Sequence, residues 1–229
     1  MLQRDKNPKR ITLAMKSMDE FYKEYEHDDP GNKYALKEVL RFVPERDCRI
    51  LDVGCGSALK SMHFRRNGNY LVGIDISTSQ TNKARKVLDE VVIHNLNHSM
   101  PFKDEEFDMV YSANVLEHIF DFRYVLREMW RVLKRGGVCI VEVPNVAYWP
   151  NRLLMLLGRE LIWIGVGKHI RAFNKFNLKR SLSETGYKDV KIVGSILPLP
   201  KTSLRVHFPY LNRLFPGLCF SLIGLGRKI

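Results

Sequence analysis

The chain has 229 residues, of which 45% are hydrophobic and 27% charged, the composition of a globular domain with enough apolar material for a core. The length favours a single domain. No apolar run follows the basic N-terminal residues, and no uncharged apolar stretch reaches the length of a membrane span. These features argue against a secreted or membrane-spanning protein, and we expect a cytoplasmic one.

The four cysteines, Cys48, Cys55, Cys139 and Cys219, include no C-x-x-C pair and show no metal-ligand spacing. Reduced thiols are the natural interpretation for a cytoplasmic protein. The cysteine pattern therefore predicts neither a disulfide framework nor a metal site.

The net charge of +12 is unevenly distributed along the chain. Residues 1–149 hold 23 Lys and Arg against 22 Asp and Glu, whereas residues 150–229 hold 14 against 3. The basic last third is either a solubilising surface or a surface that meets an anionic partner. Since this segment is also rich in Leu, Ile, Phe and Trp, a lipid surface is favoured over RNA as that partner.

Two amphipathic helices are predicted before the first strand, over Ile11–Tyr25 and Asn32–Phe42, and turn residues at 28–31 separate them. Tyr25 and Tyr34 lie on these helices. Their side chains either pack in the core or reach a bound cofactor or substrate.

The rest of the chain is organised around residues 49–61. A short apolar run at 50–53 predicts a buried parallel strand, Gly54 and Gly56 allow a tight turn, and a helix is predicted over Ala58–Asn67. Strand, glycine turn and helix together place backbone N–H groups beside a ligand at the carboxyl edge of a sheet.

This segment resembles the first motif of the class I S-adenosylmethionine-dependent methyltransferases, D/E-x-G-x-G-x-G. The motif here reads Asp52-Val-Gly54-Cys55-Gly56-Ser-Ala58, with alanine in place of the third glycine. The dinucleotide fingerprint G-x-G-x-x-G is incomplete, because position 59 is Leu.

The second strand is predicted over Tyr70–Asp75 and ends in a carboxylate, which in such folds accepts hydrogen bonds from ribose hydroxyls. Ser77 is positioned to cap the next helix, and a short third strand is expected over Glu90–His94. The first motif and Asp75 together are more specific than either alone.

Two later segments resemble the same family in the same order. Asn95 stands after the third strand, where the family has an Asp that binds the adenine amine, and its amide oxygen can accept the same hydrogen bond. The predicted strand Phe107–Ser112 leads into Leu116-Glu117-His118, which matches the family's LEH segment at the active-site edge.

A strongly amphipathic helix is predicted over Phe122–Leu133, with Gly136 and Gly137 ending it before a fifth strand over Val138–Val143. This arrangement is a further match. The resemblance therefore covers Asn32 to Asn145, and the chain is most similar to the type 11/type 23 group of methyltransferases.

The last third of the chain diverges from the family. Residues 148–167 predict a helix followed by a lid, or an interfacial amphipathic element, and His169-Ile-Arg171-Ala-Phe173 resembles an H-x-R-x-F stretch of related enzymes. Three more elements are expected: a helix over Leu178–Thr185 capped by Asn177, a strand over Tyr187–Val193, and a last, antiparallel strand over Leu218–Leu225.

The resemblance implies an α/β fold with a Rossmann-like, doubly wound seven-stranded sheet, mostly parallel with the last strand antiparallel, and with helices on both faces. One methyltransferase domain is expected over residues 1–229. It has a helical cover at 1–45, a cofactor-binding core at 46–145, and a substrate lid with the C-terminal strands at 146–229.

S-adenosyl-L-methionine is the cofactor that the resemblance implies. The residues expected to bind it are Asp52, Gly54, Cys55, Gly56, Asp75, Ile76, Asn95, Leu96, Ser112 and Asn114. His118 and His169 are candidate general bases, and Arg171 and Tyr25 are candidates for substrate contact. Structural alternatives remain: hydrogen bonding beside the cofactor for His118, and capping or salt bridging for His169 and Arg171.

The predicted function is O-methylation of a small-molecule or lipid- or sugar-linked anionic acceptor, with residues 150–229 meeting an anionic membrane surface at its inner face. An RNA or protein methyltransferase is an alternative, but neither an N/D-P-P-Y/F motif nor an RNA-binding appendage is visible, so a nucleic-acid partner is not expected. A regulatory module that binds the cofactor without chemistry is a third alternative. The sequence does not indicate the oligomeric state.

Overall fold

The computed structural model describes residues 30–45, 47–66, 68–162, 169–197 and 209–229. The helix predicted over Ile11–Tyr25, and Tyr25 with it, lies outside these described residues, as do residues 163–167 of the predicted lid. The remaining predicted elements fall within the described ranges in whole or in large part.

The described chain is built on one seven-stranded sheet. In chain order its strands are β1 Arg49–Val53, β2 Tyr70–Asp75, β3 Glu90–Ile93, β4 Phe107–Ala113, β5 Leu133–Pro144, β6 Lys188–Gly194 and β7 Ser221–Arg227. Across the sheet the order is β3-β2-β1-β4-β5-β7-β6, with β7 antiparallel to both of its neighbours and the other pairs parallel. The predicted fold class is confirmed.

Helices cover both faces of this sheet. They are α1 Pro30–Val39, α2 Thr78–Ala84, α3 Phe122–Val132, α4 Trp149–Leu156, α5 Lys175–Thr185 and α6 Pro209–Leu214. Leu51 and Val53 of β1 face a core that includes side chains of α3 and α5, whereas Ile50 faces a second core that includes side chains of α1 and α2. The two-residue period of the strand divides its apolar side chains between the two cores, so both faces of β1 are buried.

The segment after the glycine turn differs from the prediction. In place of a helix over Ala58–Asn67, the described residues form turns and a short 3-10 helix, Ser61–Phe64. Ala58 has a left-handed φ of +63°, which an α-helix cannot accommodate, and the Leu59 side chain is 70% exposed. The helical spacing of apolar residues was therefore misleading, and Phe64 anchors this segment to the core instead.

The glycine pair after α3 does not cap that helix, because β5 begins at Leu133 and runs through both glycines. The register against β4 shifts between Phe107 and Met109, which marks a bulge, and Gly136 has a φ of +79° there.

A second correction concerns α5, whose N-cap is Asn174. Asn177 is instead the N3 partner in a capping box.

The four cysteines are free thiols, three of them buried. Ser77 caps α2 as predicted, because its side chain accepts a hydrogen bond from the Gln80 N–H. Within the ranges that the structure covers, no helix combines the length and apolar character needed to cross a bilayer.

Candidate functional site

The candidate site lies where the carboxyl ends of β1, β2 and β4 meet. Strand β1 pairs with β2 on one side and with β4 on the other, so the chain reverses its direction of travel across the sheet at this point. Open α/β sheets bind ligands in the crevice at such a switch point.

The glycine turn begins at Gly54, whose φ is +74°. The N–H groups of Gly54 and Cys55 both donate to the carbonyl oxygen of Ile74, at 2.8 and 3.1 Å, which fastens the turn to the end of β2. A Cβ at Gly54 would overlap with Cγ2 of Val115. Glycine is therefore required here both by the backbone conformation and by the available space.

Asp75 holds the Gly56 end of the glycine turn. Its buried carboxylate accepts hydrogen bonds from the N–H of Gly56 at 2.9 Å and from the N–H of Ser77 at 2.8 Å. A carboxylate has about four acceptor positions, so ribose hydroxyls can be added to these two backbone donors. The position and chemistry of Asp75 fit the nucleoside part of S-adenosylmethionine.

Asp52 lies at the base of the same turn and is buried. Burial raises the pKa of its carboxyl from 3.8 to about 7; the neighbouring Asp75 acts in the same direction, and the Ser61 hydroxyl and Lys60 oppose it. A carboxyl in such surroundings favours a positively charged ligand, because a nearby cation stabilises the ionised form. The amino group of a bound methionine moiety has that charge.

Three other predicted cofactor residues have polar atoms in local hydrogen bonds. The Ser112 hydroxyl donates to the Val53 carbonyl at 3.0 Å, inside the sheet. Asn95 uses its amide oxygen to accept from the backbone and side chain of Asn97, at 3.0 and 2.9 Å. Asn114 is exposed and has a φ of +55°, and its N–H donates to the Glu142 carbonyl.

The remaining predicted cofactor residues are apolar or thiol groups at the same edge. Leu96 and Cys55 are buried, and Ile76 is half-buried directly after Asp75. Burial raises the pKa of the Cys55 thiol well above its ordinary value, so this thiol is neutral and serves as a small packing group. These positions remain predictions as cofactor contacts.

This edge also holds an ion pair that the sequence does not predict. The Lys60 Nζ lies 2.8 Å from Oε2 of Glu142, and both side chains are largely buried. The Tyr111 hydroxyl donates to the same carboxylate oxygen at 3.3 Å. A Lys shortly after the glycine motif and a Glu near the end of an apolar strand were the available signals, but neither indicates that the two side chains meet.

A second polar group at the edge combines Glu117, His118 and His169. One candidate ligand atom from each of them lies within 4.8 Å of the other two, and the two imidazole rings meet edge to face with centroids 4.8 Å apart. The structure thus brings together the two predicted general bases. It adds the carboxyl of Glu117, the middle residue of the LEH segment, which was not among the predicted site residues.

Glu117 is 1% exposed, and neither of its carboxyl oxygens has a hydrogen-bond partner. Burial raises the pKa of this carboxyl from 4.5 to about 8; its own backbone N–H and the Lys60 ammonium oppose the shift, and the nearby Glu142 adds to it. Buried polar atoms in proteins are normally paired, so an unpartnered carboxyl at a site edge calls for a functional explanation.

The Arg171 side chain is bound to the loop that precedes α3. Its guanidinium donates to the Phe120 carbonyl at 2.6 Å and stacks over the Phe120 ring at 5.2 Å. Both interactions tie the segment 169–173 to the loop that precedes α3. The predicted substrate contact at Arg171 therefore stays a prediction, and the observed contacts correspond to its structural alternative.

Known proteins resemble this chain in sequence and in fold. Residues 51–141 match the family described as a methyltransferase domain. Among solved structures, an SAM-dependent methyltransferase of Thermotoga maritima superposes with a TM-score of 0.70 at 20% identity, covering 94% of this chain and 99% of that one. One from Mesorhizobium loti superposes with a TM-score of 0.59 at 17% identity, over 88% of this chain and 99% of the other.

Sequence relatives include a demethylmenaquinone methyltransferase of Listeria welshimeri, 32% identical over 126 residues that cover 49% of this chain and 53% of that protein. A ubiquinone biosynthesis O-methyltransferase of Bartonella quintana is 28% identical over 171 residues, covering 69% of this chain and 67% of the relative. The chain thus spans about half the length of the first of these curated relatives.

Proposed function

We propose that the chain is a class I S-adenosylmethionine-dependent methyltransferase that transfers a methyl group to an acceptor hydroxyl. Residues 51–141 match the family described as a methyltransferase domain, and the fold superposes on that of a solved S-adenosylmethionine-dependent methyltransferase. The observation that carries the proposal is the juxtaposition of the glycine turn, Asp75 and Asp52 with the Glu117–His118–His169 group at one edge of the sheet.

S-adenosylmethionine supplies a methyl group that its sulfonium already makes electrophilic. The chain's own residues have to bind the cofactor and the acceptor, orient them towards each other, and shield them from water. Asp75 and the Gly54–Gly56 turn would hold the nucleoside end, and Asp52 would face the charged methionine end. The main catalytic contribution of such a site is to hold the nucleophile in line and to exclude water.

A hydroxyl acceptor is favoured because the edge carries groups that can take its proton. His118 and His169 are half-buried, and neutral imidazole is the side chain best suited to accept a proton near neutral pH. The name of the Bartonella quintana relative, an O-methyltransferase of ubiquinone biosynthesis, supports the same reaction type.

A lipid-linked acceptor is favoured by the surface that adjoins this edge. Strand β5 ends at the edge, and α4 follows it with Leu153, Met155, Leu156 and Leu157 exposed. Arg152 and Arg159 flank these apolar side chains and are exposed as well. An apolar surface bordered by cations suits the interface of an anionic membrane, where a lipid-linked acceptor resides.

The alternatives predicted from the sequence are less well supported. The relatives named above are methyltransferases of demethylmenaquinone and of ubiquinone biosynthesis, which favours small lipid-linked acceptors over RNA or protein. A module that binds the cofactor without chemistry gives no account of the two histidines and the unpartnered carboxyl at the edge.

The decisive experiment is calorimetric binding of S-adenosylmethionine and S-adenosylhomocysteine to the wild type and to Asp75→Ala. We expect saturable binding that weakens on the order of 100-fold in the variant, because hydrogen bonds to a charged group are lost. Asp108→Ala is the matched control, since Asp108 also accepts a backbone N–H, from Arg49 at 2.9 Å, but lies at the opposite edge of the sheet.

Cofactor binding that survives in Asp108→Ala and is lost in Asp75→Ala supports the proposed site. A folded wild type that binds neither compound contradicts the proposal. Methyl transfer from radiolabelled cofactor to phenolic and lipid-linked hydroxyl compounds then tests the acceptor class. Transfer to RNA or protein alone would overturn the choice of acceptor while leaving the cofactor site intact.

A further inference from the structure

We propose that Glu117, His118 and His169 form a binding site for one divalent metal ion of the zinc type. The site is formed by the 3-10 helix Leu116–His118, which follows β4, and by the segment that leads to α5. Metal binding at this site is a property separate from methyl transfer, and it can be measured without the cofactor or the acceptor.

The donor atoms are close enough to converge on one ion. One from each residue lies within 4.8 Å of the others. In a tetrahedral zinc site with bonds near 2.1 Å, ligand atoms are roughly 3.4 Å apart. The two histidines are half-buried, so rotation of their side chains can supply the remaining contraction.

The unpartnered carboxyl of Glu117 is the second, independent observation. Three buried carboxylates of the described chain accept hydrogen bonds: Asp75 from backbone N–H groups, Glu128 from Arg131, and Glu142 from Tyr111. Glu117 has 1% exposure and no partner at either oxygen. An ionised carboxylate is tolerated inside a protein when it is paired or when it coordinates a metal, and a cation held by the two histidines would provide that pairing for Glu117.

The backbone holds His169 in place beside the 3-10 helix. The Glu117 carbonyl accepts hydrogen bonds from the N–H groups of Ile170 at 2.9 Å and Arg171 at 3.1 Å. An isolated parallel bridge between Asn145 and Phe173 fixes the far end of the same segment. The 3-10 helix and the segment 169–173 are thus aligned before any ion binds, which reduces the conformational cost of binding the ion.

The donor set determines the kind of ion. Two imidazole nitrogens and one carboxylate oxygen form the His₂Glu set of zinc sites that keep a coordination position open. The cysteines are not part of the cluster, so no thiolate ligand is expected. If the proposed function holds, the open position suits the oxygen of the acceptor hydroxyl, whose proton a bound cation would make more acidic. His118 and His169 would then act as ligands, and this increased acidity would replace their role as general bases.

The test is titration of metal-free protein with ZnCl₂ by calorimetry, without cofactor, on the wild type, Glu117→Gln and His169→Ala. We expect one ion per chain and a loss of affinity of about 100-fold or more in each variant, since each removes a ligand. His63→Ala is the control, because His63 is an exposed histidine of a different 3-10 helix, Ser61–Phe64; this variant should bind the ion as the wild type does.

Cobalt(II) substitution provides a readout that a structural role would not give. Visible d–d bands without a thiolate charge-transfer band are expected for the wild type and not for Glu117→Gln. Both variants are expected to fold, because glutamine preserves the shape of Glu117 and the His169 side chain is only half-buried. Far-UV circular dichroism verifies the folding of each variant.

Binding to the wild type that is unchanged in both folded variants would overturn the proposal, as would the absence of saturable binding. A thiolate band would do the same, because it would place the ion on cysteine. Failure of S-adenosylmethionine binding in the same preparation would contradict the proposed function but not the metal site, so the two results are distinguishable.

Discussion

The ammonium group of Lys60 lies 2.8 Å from Oε2 of Glu142, joining the segment after the glycine turn to the end of β5 across 82 residues of sequence. The Glu142 side chain is 2% exposed and that of Lys60 15%. This ion pair connects the two halves of the edge that carries the candidate site.

Lys60→Met should destabilise the protein by about 3 kcal/mol, because it leaves the buried Glu142 carboxylate without its cation. Urea unfolding measures this loss. Removing both charges in Lys60→Met with Glu142→Gln should recover part of it. Arg180→Met is the control: the exposed pair of Arg180 with Glu184 should contribute less than about 0.5 kcal/mol. Equal losses of the free energy of unfolding in Lys60→Met and in Arg180→Met would contradict the prediction.

Gly54→Ala should destabilise the fold by about 3 kcal/mol, since its Cβ would overlap with Val115 at a backbone φ of +74°. Gly136→Ala provides the matched control: its φ is +79°, but a Cβ there meets no atom within 4 Å. We expect that control to lose only the conformational cost, about 1 kcal/mol. Adding Val115→Ala should partly rescue Gly54→Ala in thermal unfolding but should not rescue Gly136→Ala.

Asp52 should make the ligand-free protein less stable as the pH rises from about 4 to about 7. In this window the folded protein retains a proton at Asp52, whose pKa is about 7, while the unfolded chain, with a pKa of 3.8, has released it. Since the folded state binds more protons, its free energy of unfolding falls with rising pH, by on the order of 3 kcal/mol from this group.

Asp52→Asn should remove this dependence, giving a flatter profile of the free energy of unfolding against pH in chemical denaturation. Val110→Ala serves as the control, because loss of a buried methyl pair lowers the stability at every pH without changing the slope. A slope that is the same in Asp52→Asn and in the wild type would refute the assignment to Asp52.

Replacing Leu156 and Leu157 by Ser should weaken binding to vesicles that contain phosphatidylglycerol by at least about tenfold, because both side chains are exposed and available for insertion. Co-sedimentation at low and high salt measures the apolar and the electrostatic contributions separately. Ile229→Ser is the control, since Ile229 is 71% exposed but follows β7 at the opposite edge of the sheet. Equal binding by all three proteins would argue against α4 as the membrane surface.

Much of the fold was predictable because its signals are local. The apolar runs of β1 and β2, the glycine turn and the carboxylate of Asp75 follow one another directly in the sequence, and parallel strands bring such successive ends to one edge. Errors arose where the backbone conformation was not encoded by apolar spacing. Ala58 shows this, because its left-handed φ leads into turns where helical periodicity predicted an α-helix.

The motifs of the sequence were enough to predict a seven-stranded, mostly parallel sheet with an antiparallel last strand, and the sheet edge where a cofactor is expected, because motif spacing and chain connectivity leave few alternatives for such a sheet. Which polar groups meet at that edge depends on the three-dimensional arrangement of the loops. Glu117 and His169 come together because backbone hydrogen bonds align two distant segments, and Lys60 meets Glu142 through a side-chain ion pair between two other distant segments. Such contacts depend on the paths of loops rather than on residue periodicity, so no pattern along the sequence predicts them.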